Sequence, residues 1–220
     1  MKIALHHCDP RNAGLTVGGR PGTLCGSMLA RVLADGVEVQ TGRLPPELVP
    51  DAAGLAALWA LHPADYHVIT MHGREVATPR WQQAYGADYH YTGRVNRALP
   101  CTPEMAPFLA WARQAVDARL NGLLFNWYDA AHAHYIGKHR DSTRGMIAGA
   151  PIVTISLGAT RLFRLRPWRG TGMVDLEVDH GSVVVIPYAT NLVWTHEVPH
   201  RAADRGRRIS ITLRGFTVAA

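Results

Sequence analysis

"RRISITLRGF", residues 207–216, alternates charged or hydroxylated side chains with branched apolar ones, and this alternation decides the fold class. Successive side chains on a strand point to opposite faces, so Arg208, Ser210, Thr212 and Arg214 share one face while Ile209, Ile211 and Leu213 share the other. A strand divided in this way separates an apolar core from either solvent or a polar cavity. Two arginines beside two hydroxyls suit a cavity that holds a dicarboxylate, because guanidinium groups bind carboxylates bidentately. A solvated face is the plainer alternative.

The same logic extends upstream. In "LLFNWYDA" (123–130), Asn126 and Tyr128 face one way and Phe125 and Trp127 the other. The amide and phenol can then reach the acid held by the arginines. Between these runs lie "APIVTISLG" (150–158), "TRLFRLRP" (160–167), "VDLEVDHGSVVVIP" (174–187) and "LVWTHEVP" (192–199), all short, β-rich and punctuated by Gly and Pro. This spacing predicts a β-sandwich or barrel.

The first half of the chain reads differently. "DAAGLAALWALHP" (51–63) has an Asp cap, helical spacing and a Pro stop. "EMAPFLAWARQAVDARL" (104–120) places Met105, Phe108, Leu109, Ala112, Val116 and Leu120 on one stripe, predicting an amphipathic helix closed by Asn121-Gly122. "HVITMHGREVATP" (67–79) predicts two strands turning at Gly73, and "RWQQAYGADYHYTG" (80–93) an irregular loop or short strand. Residues 1–50 are rich in Gly, Arg and Pro and read as an accessory segment, with a short helix near "LCGSMLARVLADG" (24–36).

The expectation is one domain over 1–220, of mainly β (α+β) class: the accessory segment 1–50, helices and a substrate-recognition region over 51–122, and a β core over 123–220. The helices are expected to pack on one sheet. A chain of 220 residues buries roughly 70% of its unfolded surface, so one core suffices without disulfides. Cys8, Cys25 and Cys101 form no C-x-x-C pair, which points to a reducing, cytoplasmic setting. Neither a signal peptide nor a membrane segment is expected, since the apolar run in "MKIALHHCDP" is short and broken. The formal net charge of +6 suits a polyanionic partner such as nucleic acid. Only Lys2 and Lys138 are lysines, however, so the charge equally fits an arginine-rich compositional bias.

"YIGKHRDS" (135–142) reads as strand and sets His139 and Asp141 two positions apart, the spacing of two ligands on one face. A mononuclear iron site of the facial type needs one more imidazole, with the remaining positions open. His196 in "WTHEVPH" offers it; His180 and His200 are rivals, and His132 with His134 is a second i, i+2 pair.

The order Asn-x-Tyr (126, 128), His-x-Asp (139, 141), "PIVTISLG" (151–158), "LVWTHEVP" (192–199) and Arg-x5-Arg (208, 214) resembles the AlkB family of iron(II) and 2-oxoglutarate dioxygenases. It is most similar to the branch that contains the animal DNA-repair homologues, over a stretch from about Thr78 to Phe216. The resemblance implies a double-stranded β-helix (jelly roll), with His139, Asp141 and His196 as iron ligands. It further implies that Arg208 pairs with the distal carboxylate of 2-oxoglutarate, while Asn126, Tyr128, Thr212 and Arg214 complete that pocket. Dioxygen is the other co-substrate, and hydroxylation of an N-alkyl carbon would release formaldehyde from a methylated base.

The implied partner is alkylated single- or double-stranded DNA or RNA, met by a monomer. Trp81 and Tyr85 are placed to stack a flipped base, or else to cover the core. Arg80, Arg74 and Arg94 are placed to hold phosphates, with Thr143 near the base. Arg161, Arg164, Arg166 and Arg169 form either an exposed hairpin face or a phosphate track. Repair members carry an acidic residue just after His-x-Asp, where this chain has Ser142-Thr143-Arg144. Two other functions share parts of this pattern: the same oxygenase chemistry on a protein side chain or small molecule, and a cupin-like binding module without redox chemistry.

Overall fold

In the computed structural model, which describes residues 28–217 apart from positions 35, 72, 92 and 93, every run with period-two alternation forms a strand. The chain begins with β1 (Leu29–Ala34) and β2 (Val37–Arg43), then α1 (Ala52–Ala60). Two hairpins and a strand follow: β3 (Val68–Met71), β4 (Arg74–Ala77), β5 (Trp81–Tyr85), β6 (Tyr89–Tyr91) and β7 (Arg94–Asn96). After α2 (Ala106–Ala115) come β8 (Gly122–Asp129), β9 (Ile136–His139), β10 (Ile152–Gly158), β11 (Arg161–Pro167), β12 (Val174–Val178) and β13 (Ser182–Ile186). A short helix, α3 (Tyr188–Val193), leads into β14 (Trp194–Val198), and β15 (Arg207–Arg214) closes the fold.

These strands form two facing antiparallel sheets. The larger has the order β1-β2-β13-β10-β15-β8-β5 and the smaller β12-β11-β14-β9; β3-β4 and β6-β7 stand apart as hairpins. Non-sequential neighbours in both sheets give the jelly-roll arrangement. The larger sheet buries both faces. Its outer face carries Phe125, Trp127, Ile155, Ile209, Ile211 and Leu213 against Leu58 of α1 and Phe108, Trp111 and Ala112 of α2. Its inner face meets Phe163, Leu165, Leu176 and Trp194 from the smaller sheet. Trp127 locks α1 in place by donating from Nε1 to the carbonyl of Leu58 at 3.0 Å.

Register then positions the site. Arg208 lies opposite Tyr128, Ser210 opposite Asn126, and Thr212 opposite both Leu124 and Thr154. The polar members of three adjacent strands therefore share the inner face, as the alternation of 207–214 predicts.

Four expectations need correcting. The part of 24–36 that is described forms strand β1 rather than a helix, because Leu29–Val32 pair with Glu38–Thr41 in an antiparallel ladder. Within the expected accessory segment, β1 and β2 are thus an integral edge of the large sheet, since β2 also pairs with β13; residues 1–27 lie outside the described residues. The second helix stops at Ala115, short of the expected 120. Asp117 accepts from the backbone N–H and guanidinium of Arg119, which tightens the chain into a turn, yet Leu120 remains buried. Finally, the stretch read as an irregular loop or a short strand holds two strands: β5 extends the large sheet by pairing Trp81 with Trp127, and β6 forms a hairpin with β7.

Candidate active site

His139 ends β9 and sits directly across from His196 on β14. Asp141 lies beyond the strand end, so the expected same-strand placement gives way to a different device. Its backbone N–H donates to Asn191 Oδ1 at 2.9 Å, and Asn191 Nδ2 donates back to its carbonyl at 2.9 Å. This two-bond clamp from α3 replaces the sheet ladder and aims the carboxylate at the imidazoles. Asp141 Oδ1 lies 3.5 Å from His139 Nε2 and 4.0 Å from His196 Nε2, and one ligand atom from each residue lies within 4.8 Å of the others.

The surroundings prepare these groups to bind a cation. His139 Nδ1 lies 2.8 Å from the carbonyl of Gly137; donation there leaves the Nε2 lone pair facing Asp141. Phe163 stacks on the His196 ring at 5.5 Å. Burial, then the neighbouring His139, push the His196 imidazole down to about 3, so it is neutral and can coordinate. Burial by itself would raise the Asp141 carboxyl, but the Arg214 guanidinium and the two imidazoles hold it well below the usual carboxylate range. Arg214 Nη2 donates to Asp141 Oδ1 at 2.6 Å. Asp141 Oδ2 is buried without a partner among the described residues.

The same cavity is lined by Asn126, Tyr128, Thr154, Arg208, Ser210, Thr212 and Arg214. Arg208 is 1% exposed and donates from Nη2 to Ser156 Oγ at 2.8 Å, with its guanidinium 5.1 Å from the Tyr128 ring centroid. Its Nε and Nη1 have no partner among the described residues. A buried guanidinium with two idle donors is costly unless an anion meets it. The donor set thus fits the two groups that the resemblance implies. The neutral His196 imidazole, the His139 imidazole and an ionised carboxylate with an idle oxygen suit iron(II), and idle guanidinium donors beside a phenol and hydroxyls suit the carboxylate of a 2-oxo diacid.

The residues expected to meet a substrate are placed differently. Arg80 is 2% exposed and sits in the cavity wall, donating from Nε to Asn126 Oδ1 at 2.8 Å and from Nη2 to Gln82 Oε1 at 2.9 Å. It is therefore turned inward, away from any surface phosphate. Trp81 is packed by neighbours, stacking on His62 at 4.4 Å and Tyr66 at 5.4 Å with the edge of His134 at 4.7 Å. Tyr85 is 3% exposed in the core behind the large sheet, against Phe125. Neither ring is free to stack a base. Thr143 lies in the turn after Asp141, its carbonyl accepting from Met146, and does not line the cavity. Arg74 is exposed on β4, and Arg94 pairs with Glu75.

The remaining candidates resolve into structural roles. His180 accepts from Gly158 N–H through Nδ1 and lies against the Pro50 carbonyl, while His200 is exposed beside Tyr135. His132 and His134 pack around Trp81. Arg161 is buried on the carbonyls of Thr160, Arg205 and Gly206, and Arg164 and Arg166 pair with Asp175 and Glu197. These pairings place Arg161, Arg164 and Arg166 in structural contacts of a hairpin face, and Arg169 is exposed in the turn that follows β11. Sequence reasoning missed Thr154 and Ser156, although two hydroxyls at i, i+2 in the apolar run "PIVTISLG" mark the strand face that meets Arg208. It also missed Asn191, whose clamp on Asp141 spans 50 residues and leaves no local signal.

Comparison with known proteins agrees with this geometry. The profile of the 2OG-Fe(II) oxygenase superfamily matches residues 61–214. Among curated proteins, the chain is 29% identical over 157 residues to the DNA oxidative demethylase ALKBH2 of Homo sapiens, covering 66% of this chain and 60% of that protein. The Mus musculus counterpart is 30% identical over 157 residues, with 66% and 65% covered. The alpha-ketoglutarate-dependent dioxygenase alkB homolog 3 of Rattus norvegicus is 28% identical over 149 residues, with 62% and 50% covered. The chain thus spans about half to two thirds of the length of these relatives. The solved structure of OsALKBH1 shares the fold, with a TM-score of 0.57 at 14% identity, over 85% of this chain and 100% of that one. The matched span contains every element that builds the cavity, and the chain belongs to the 2OG-Fe(II) oxygenase superfamily and, within it, to the AlkB family.

Proposed function

We propose that this protein is an iron(II)- and 2-oxoglutarate-dependent dioxygenase that removes alkyl groups from the ring nitrogens of nucleic-acid bases. One observation carries the chemistry: a single cavity holds His139, Asp141 and His196 beside Arg208, whose buried Nε and Nη1 lack partners among the described residues. The nucleic-acid substrate rests on the relatives named as DNA oxidative demethylases and on the net charge of +6. The exposed free thiol of Cys101 fits the reducing, cytoplasmic setting proposed for it.

His139, Asp141 and His196 would hold iron(II), and Arg208, Tyr128, Asn126, Thr212 and Arg214 would hold 2-oxoglutarate. Bound there, the metal supplies activation of dioxygen, with the 2-oxo acid as the source of the additional electrons. The chain's own contribution is to fix and insulate. Asn191 holds the Asp141 backbone, Arg214 keeps its carboxylate ionised, and Gly137 sets the His139 tautomer. Leu124, Ile136, Phe163 and Val198 supply apolar walls that limit water. A methyl group hydroxylated at this site leaves its ring nitrogen as formaldehyde.

The test supplies the full chain with iron(II), 2-oxoglutarate and methylated oligonucleotides, single- and double-stranded, and measures succinate and formaldehyde. We expect one formaldehyde per succinate, dependent on the methylated oligonucleotide and lost in His139→Ala and Asp141→Ala. Succinate formed only with a peptide or small molecule overturns the nucleic-acid substrate while leaving the chemistry. Absence of turnover, with 2-oxoglutarate binding indifferent to Arg208→Ala, overturns the enzyme reading in favour of a binding module.

A further inference from the structure

The cavity contains three guanidinium groups, Arg80, Arg208 and Arg214, and one carboxylate, Asp141. That carboxylate is already engaged by Arg214. Arg208 would meet the carboxylate of 2-oxoglutarate, which leaves Arg80 as the cation without an acid: its two hydrogen-bond partners, Asn126 Oδ1 and Gln82 Oε1, are neutral amides. It is also 2% exposed, so solvent does little to screen its charge. Bound iron(II) and the dianion of 2-oxoglutarate cancel in charge, which leaves the cavity with a surplus of positive charge.

That surplus bears on which base can enter. N1-methyladenine and N3-methylcytosine are cations at neutral pH, and the cavity offers them no free carboxylate and one guanidinium without an acid. N3-methylthymine, N3-methyluracil and N1-methylguanine are neutral and carry a carbonyl at the position, C4 of the pyrimidine or C6 of the purine, where those cations carry an exocyclic amino group. Arginine has donors only, so the complement of Arg80 is a hydrogen-bond acceptor such as that carbonyl. We propose that Arg80 is a specificity-determining residue that selects neutral N-alkyl bases, which have a carbonyl in place of the exocyclic amino group, over cationic ones; this rests on the nucleobase reading above.

The test uses the full chain at pH 7 and two oligonucleotides of one sequence, carrying N3-methylthymine or N3-methylcytosine at the same position. Competition for formaldehyde release gives the ratio of kcat/KM, and fluorescence anisotropy without dioxygen gives the ratio of Kd. The wild-type chain is expected to favour N3-methylthymine about tenfold or more in both. Arg80→Gln should bring the ratios near parity, with the KM for 2-oxoglutarate measured alongside because Arg80 also holds Asn126. A wild-type preference for N3-methylcytosine overturns the inference and leaves the demethylase reading standing. An Arg80→Gln chain that keeps the preference but loses affinity for 2-oxoglutarate also overturns it, because Arg80 then serves the co-substrate. The wild-type ratio decides the matter if the variant fails to fold. If neither oligonucleotide is bound or demethylated, the nucleobase reading falls and this inference with it.

Discussion

Replacing Arg208 with Met should separate folding from co-substrate binding. This guanidinium is 1% exposed, bonded to Ser156 Oγ at 2.8 Å, and idle at Nε and Nη1 among the described residues. Removing a buried cation that lacks a counter-charge relieves its desolvation cost, so the ligand-free variant should melt no lower than wild type. With 2-oxoglutarate and Mn(II) present the order reverses. Losing a buried, hydrogen-bonded charge pair costs about 2–5 kcal/mol, which corresponds to a Kd weakened by a factor of ~30 or more. At 100 times the wild-type Kd, 2-oxoglutarate adds about 2.7 kcal/mol to wild-type stability, or a rise in Tm of roughly 5–11 °C for a chain of this size. The same concentration adds at most about 0.9 kcal/mol to the variant, or roughly 2–4 °C. Near-UV circular dichroism melts with and without the ligand measure both effects. Equal ligand-induced shifts in the two proteins would refute the assignment of Arg208 to a carboxylate.

Three further outcomes follow from packing and protonation. Burial, with His132 beside it, holds the folded His134 imidazole below its ordinary value of 6.5, so the unfolded chain binds that proton more tightly. The stability this group contributes is present above pH 6.5 and is lost as pH falls toward the lowered folded value; His134→Gln should flatten the decline of the urea midpoint between pH 7 and 5, and an unchanged slope contradicts it. Trp127 is fully buried and bonded to Leu58, so Trp127→Ala should cost about 3–5 kcal/mol in denaturant unfolding, whereas a cost under about 1 kcal/mol contradicts the packing of α1 on the large sheet. Gly158 has φ +87° and an added Cβ would lie 2.5 Å from the Arg207 carbonyl oxygen. Gly158→Ala should therefore destabilise by more than about 1 kcal/mol, and a neutral effect contradicts the close approach of β10 to the start of β15.

What was legible in the sequence is what local periodicity controls. The alternation in 207–214 places Arg208, Ser210, Thr212 and Arg214 on one wall because side chains reverse at every residue of a strand, whatever the partners are. Asn126 with Tyr128 follows the same rule, and the Asp51 cap of α1 is a local bond to Gly54 N–H. What was not legible depends on distant partners. Residues 29–34 look helical alone but take up a ladder with 37–43. Nothing near "TPRWQQAYG" reveals that Arg80 turns inward to Asn126, 46 residues away, or that His62 and Tyr66 pack against Trp81. Asp141 was found by its spacing from His139, yet its position depends on a clamp from Asn191.

The central claim is that His139, Asp141 and His196 form one metal site that works with Arg208. Calorimetric titration of the full chain with Mn(II), a stand-in for iron(II) that resists oxidation in air, tests it most directly. The account predicts one Mn(II) per chain, bound more tightly when 2-oxoglutarate is present, with binding lost in Asp141→Ala and His196→Ala and the gain from 2-oxoglutarate lost in Arg208→Met. Unchanged Mn(II) affinity in the two ligand variants would contradict it.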